Sequence, residues 1–155
     1  MIIDDFKWEV EWRERVNQSN SVYLVLSSMI LLLPIFLYVM KNKKNNYENA
    51  LASLLLINVF FSALFWMDPV PWTAIHFFDG VFGKVSSIAF TIYVLFLKQL
   101  EVEMKLLFLL CIFLAAIAFY YSNEFSREAW CSKNHIACHL LFHLLIIAGC
   151  IFAFF

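Results

Sequence analysis

Five apolar runs, each near the ~20 residues that carry a helix across a hydrocarbon core, constrain this chain more than any other feature. They lie at about 21–40, 49–67, 72–97, 104–121 and 135–155. Inside a bilayer every backbone N–H and C=O must find its partner within the protein, so runs of this length fold as helices. The expected architecture is therefore all-α: a polytopic membrane bundle of about five transmembrane helices, one domain over 21–155, preceded by a short amphipathic segment at 1–20. Of the 155 residues 63% are hydrophobic and 15% charged, too apolar a balance for an ordinary soluble domain. The formal net charge of −1 offers no electrostatic attraction to nucleic acid. Three glycines and three prolines leave room for short turns only, and Pro34 falls inside the first run as a tolerated kink.

The first run lacks a basic segment before it and a small-residue cleavage site after it, so it reads as a retained span. Ahead of it, Phe6, Trp8, Val10 and Trp12 are interleaved with charges, the pattern of a helix lying at the membrane surface or of a charged solvated tail. Five spans put the termini on opposite sides. The Lys41–Lys44 loop favours a cytosolic location for its side, which leaves the N-terminus outside or lumenal and the C-terminus cytosolic. Cys111 and Cys150 read as packing residues, whereas Cys131 and Cys138 flank the start of the last helix and would bridge only in an oxidising compartment.

Polar residues inside spans are costly and by default face the bundle interior. In the second run Asn58, Ser62 and Trp66 form one helical stripe. In the third, His76, Asp79, Gly83 and Ser86 or Ser87 share a face, and in the last His135, His139 and His143 stack. Alternation of the spans brings Ser62, Asp79, His139 and His143 to similar depth near one membrane surface. Two imidazoles one turn apart can grip a metal such as zinc, a carboxylate can orient bound water or act as base, and a hydroxyl can hold it. The same groups can also serve purely as interhelical hydrogen-bond partners. His135 at the membrane edge reads as a solvated or capping residue, and His76 as a pairing partner for Asp79. Lys84 is one candidate counter-ion for Asp79, although five residues along a helix turn it to another face.

Ser62-Ala-Leu-Phe-Trp66, Asp79 and His139-Leu-Leu-Phe-His143 resemble, in order and helix placement, the SxxxH, Asp and HxxxH motifs of a membrane-hydrolase superfamily. It comprises alkaline ceramidases, GPI-remodelling lipid hydrolases, progestin and adiponectin receptors and myomaker-like proteins. The resemblance implies a zinc site with His139 and His143 as ligands, Asp79 beside the metal-bound water and Ser62 as a supporting hydroxyl. It also implies a lipid substrate and, from the weaker likeness of Glu11, Trp12, Glu14 and Asn17 to an acidic stretch before the first ceramidase helix, a calcium site. Two departures stand against an intact site. Trp66 occupies the position of the third histidine ligand, and indole cannot ligate zinc; five spans replace seven.

The leading expectation is thus a reduced relative with an eroded metal site, a non-catalytic or partner-binding membrane subunit that self-associates or joins another subunit in the bilayer. The rival is an active zinc-dependent lipid amidase or esterase in which His76 joins His139 and His143 as ligands and Asp79 is the base. A third reading takes His76 and His139 or His143 as opposed axial ligands of a haem in an accessory subunit.

Overall fold

The computed structural model describes residues 18–155, and the expected interfacial helix and calcium stretch lie outside them. Six α-helices follow one another. They are α1 (Gln18–Ile30), α2 (Leu32–Met40), α3 (Asn46–Met67), α4 (Ala74–Ile92, running into a π-helical turn at Tyr93–Leu97), α5 (Val102–Glu128) and α6 (Lys133–Phe154). Among the described residues five segments are long and apolar enough to cross a membrane, with α1 and α2 together making the first, and the protein is a helical bundle of integral-membrane type.

Local chemistry sets the element ends. Pro34 has no N–H and its ring crowds the carbonyl four residues back, at Ile30, which is where α1 gives way to α2. Leu31 N–H bonds Ser28 O instead, at 3.1 Å. Asn45 caps α3 by accepting from Glu48 N–H at 2.8 Å, so that helix starts at Asn46 and not at 49. The fourth span runs on well beyond 121, through a stretch expected as a connection. Its polar end keeps its backbone bonds by staying helical, and Arg127 and Glu124 pair on its surface at 2.8 Å.

The helices form an arc in the order α4–α3–α1–α6–α5, with α2 packed on α3 and α6. No extensive contact joins α4 to α5, which meet mainly at the π-helical turn, so the arc is open on one side. Its two ends differ. One holds the main apolar core, with Tyr38, Leu55, Phe90, Tyr93, Phe108 and Phe154 packed together. There Lys41 Nζ reaches Glu48 Oε1 at 2.8 Å and Phe154 O at 2.6 Å. Lys98 Nζ donates to Phe152 O and Ala153 O at 2.9 and 2.8 Å, satisfying final carbonyls of α6. Burial and the neighbouring Lys41 hold the Lys98 ammonium below the usual lysine range. The other end carries the histidines.

Candidate functional site

Helix starts place two of the four histidines. Thr73 caps α4 by accepting from His76 N–H at 3.2 Å, and Ser132 caps α6 by accepting from His135 N–H at 3.3 Å. In return each imidazole reaches back over the cap. Nδ1 of His76 accepts from Trp72 N–H at 3.1 Å, and Nδ1 of His135 accepts from Cys131 N–H at 3.0 Å. The arrangement resembles a capping box with histidine in the place of the usual glutamate, except that the ring accepts from the N–H of the residue before the cap and not from the cap itself. Trp72 and Cys131, the residues just before the caps, both take positive φ, 65° and 56°. That strained turn aims each N–H at its ring.

The consequence is chemical. A neutral imidazole that accepts at Nδ1 carries its proton on Nε2, so His76 and His135 each present an N–H outward and no lone pair. His135 is a capping residue, as one expectation had it, but it is buried rather than solvated. His76 does not turn to Asp79 for its Nδ1 bond; its ring stacks on Phe65 at 4.8 Å between centroids.

The other two histidines are held by serines on other helices. His143 Nδ1 lies 3.0 Å from Ser27 Oγ of α1, and Ser27 already donates its single proton to Leu24 O at 2.8 Å. His143 must therefore be the donor through Nδ1–H, which leaves a lone pair on Nε2. His139 Nδ1 lies 3.2 Å from Ser122 Oγ of α5, and the two rings stand 4.6 Å apart. Next to Ser27, Ser28 donates its single proton to Leu24 O at 2.9 Å, so in its 2.9 Å contact with Ser62 the Ser62 hydroxyl is the donor. Hydroxyls thus tie α1 to α3 on one side and α1, α5 and α6 on the other.

All the residues singled out in the sequence, Ser62, Trp66, His76, Asp79, Lys84, His139 and His143, line one cavity of about 700 Å³. It opens through the gap between α4 and α5. Trp66 packs into its histidine wall with ring centroids 5.5 Å from His135 and 5.1 Å from His139. Among the described residues Trp66 Nε1 and Ser86 Oγ are buried without a hydrogen-bond partner, and both belong to the same lining. Each such orphan costs about 1–3 kcal/mol unless something that occupies the cavity satisfies it.

Lys84 stands apart from Asp79, with no carboxylate within ion-pair distance among the described residues. It lies roughly 15 Å along the helix axis from the start of the third span and roughly 20 Å from its end. That is too deep for its stem to bring the ammonium to either interface. A charge at such a depth costs roughly 2.5–3.5 kcal/mol on insertion scales.

A catalytic zinc takes three protein donors and leaves a fourth position open. Among the described residues no three of His, Cys, Asp and Glu converge to hold a metal. His76 and His135 present protons, Trp66 has no lone pair, and only His143 is shown with a free ring nitrogen. The residues present do not fit such a centre, and the Nε2 proton of His76 argues equally against its acting as an axial haem ligand. Ser27, Ser28 and Ser122 escape a reading of the sequence, because Ser27 and Ser28 have no acid or histidine in their own run, Ser122 lies past the expected end of the fourth run, and their partners are on other helices. The Thr73-x-x-His76 and Ser132-x-x-His135 boxes are written in the sequence. Cys131 and Cys138 are free thiols, and burial pushes the Cys131 thiol up to about 11.

Comparison with known proteins found no family model, no curated protein and no solved structure that matches this chain.

Proposed function

We propose that this protein is a non-catalytic membrane subunit, related in pattern to zinc-dependent lipid hydrolases, that assembles with a partner inside the bilayer. The observation that carries this reading is Trp66. Its indole is 4% exposed and packed against His135 and His139, where a third metal ligand belongs by the motif. The capped tautomers of His76 and His135 support it, since neither imidazole offers the lone pair that could replace the missing ligand. The open side between α4 and α5 supports the assembly half of the proposal. The Lys41–Lys44 loop favours placing the lysine end in the cytosol and the histidine end outside or in a lumen.

A second reading, an active zinc-dependent lipid amidase or esterase, draws on the gathering of Ser62, Asp79, His139 and His143 around one cavity. Elemental analysis of protein purified with zinc present separates the two. The proposal expects less than about 0.1 zinc per chain, the site lacking its third donor, and no hydrolysis of ceramide or phospholipid in mixed micelles. One zinc per chain, lost in His139→Ala or His143→Ala and accompanied by hydrolysis, overturns it.

A further inference from the structure

We infer that the gap between α4 and α5 is the seat of a partner's transmembrane helix bearing an acidic side chain near the bilayer midplane, which pairs with Lys84. The inference rests on the proposed assembly role and specifies its partner.

Three observations around the same cavity converge. First, the lips of the gap are small where a helix backbone must come close. Gly80 and Ser87 line it on α4 and Ala116 on α5, while a methyl on Gly83 would meet Asn58 of α3 at 3.7 Å. A methyl built on Gly80 meets nothing within 4 Å, so this lip faces open space. Second, Ser86 Oγ, 6% exposed and without a partner among the described residues, borders the same space and supplies a hydrogen bond to whatever enters. Third, Lys84 sits there with no carboxylate within ion-pair distance among the described residues.

Depth chooses the occupant. The carboxylate or phosphate of a lipid sits at the interface, roughly 15 Å from Lys84 along the helix. A transmembrane helix, in contrast, holds an acid at the midplane by covalent geometry. Apart from Asp79, which is on α4 itself and near that helix's start rather than its centre, no described span of this chain carries an acid near its centre. The acid therefore comes from a different chain. Burying the pair between two helices removes both charges from lipid, and interior-facing, mutually paired ions are the arrangement in which membrane charges are found.

The test uses the full-length protein in phosphatidylcholine vesicles with synthetic 22-residue Leu/Ala transmembrane peptides carrying Glu, Gln or Leu at the centre, association being read by energy transfer. The Glu peptide is expected to bind about tenfold more tightly than the Leu peptide, in keeping with intramembrane polar pairs. Lys84→Leu should abolish that preference, and a Glu placed two turns from the centre should show none. Gly80→Leu, whose Cβ meets nothing within 4 Å, should weaken Glu-peptide binding at least about fivefold with Lys84 intact, because it denies the close approach.

Equal binding of Glu and Leu peptides, or a preference that survives Lys84→Leu, overturns the inference. So does a carboxylate lipid seen by native mass spectrometry to co-purify one per chain and to be lost in Lys84→Leu, or self-association of the wild type that Lys84→Leu abolishes. These outcomes are independent of zinc content. A protein that fails here while remaining metal-free keeps the non-catalytic reading, and one that holds zinc and hydrolyses lipid loses that reading whatever the peptides do.

Discussion

The lysine end and the histidine end of the bundle are built from the same helices and treat their polar groups in opposite ways. At the lysine end charge is used to finish the structure: Lys41 and Lys98 donate to carbonyls of α6, Lys41 also to Glu48, and an aromatic core lies directly beneath. From the histidine end to mid-span a cavity of about 700 Å³ separates the helices, and the Trp66 indole N–H and, at mid-span, the Ser86 hydroxyl face it without partners among the described residues. The first arrangement explains how five spans hold together without a closed ring of helices. Glu48 Oε2 is buried without a partner at the lysine end as well, but only in the second arrangement do the unpartnered groups line a cavity, as they would at an interface or a binding site. On the proposed reading, stability is concentrated at one end and recognition at the other.

Mutations at the lysine end should therefore act on stability most strongly. Lys41→Met leaves the Glu48 carboxylate buried without its cation, and a broken buried pair costs about 3 kcal/mol. Chemical unfolding in micelles should show that loss, and Lys41→Met combined with Glu48→Gln should recover most of it. An unchanged midpoint for the single variant would dissolve the contrast between the ends.

A smaller effect is expected where the histidines cap helices. His135→Ala removes the acceptor for Cys131 N–H and should destabilise by about 1–2 kcal/mol, the range of lost helix caps. His76→Ala, more exposed, should cost about 0.5–1 kcal/mol. Neither should alter metal content, since neither ring has a lone pair to lose. Smaller again, Ser122→Ala should cost about 0.5–1 kcal/mol, one net hydrogen bond to His139. A loss above about 3 kcal/mol there would mean that the histidine end is as structural as the lysine end.

The smallest perturbation is a change of pH outside the membrane core. The thiolate is the reactive form of cysteine, and a thiol pushed up to about 11 is almost wholly protonated at pH 8. Cys131 in the folded protein should therefore resist alkylation at pH 8 and gain reactivity only as pH approaches 11. Mass mapping of the labelled peptides would follow this, and fast labelling of Cys131 at pH 7 would show that the turn before α6 is open.

Much of this was legible before any coordinates. Charged and polar side chains stand out against apolar runs, so Ser62, Asp79, Lys84 and the His139–His143 pair identify themselves, and alternation of spans places all but Lys84 near one surface. Tertiary geometry supplied the rest. The pairing of Ser27 with His143 spans 116 residues and has no periodic trace. The order α4–α3–α1–α6–α5, and hence the gap beside Lys84, depends on which helical faces fit one another. The roles of His76 and His135 followed from reciprocal bonds with their caps, and the Thr/Ser-x-x-His spacing is the signal that announces them.

The central claim is that Trp66 stands where a metal ligand is missing. Its most direct test is the zinc content of Trp66→His beside the wild type, each purified and dialysed against the same micromolar zinc. The account predicts a metal-free wild type and about one zinc per chain in Trp66→His, abolished again by His143→Ala, because three donors then meet. Zinc in the wild type, or none in Trp66→His with the fold intact, would contradict it.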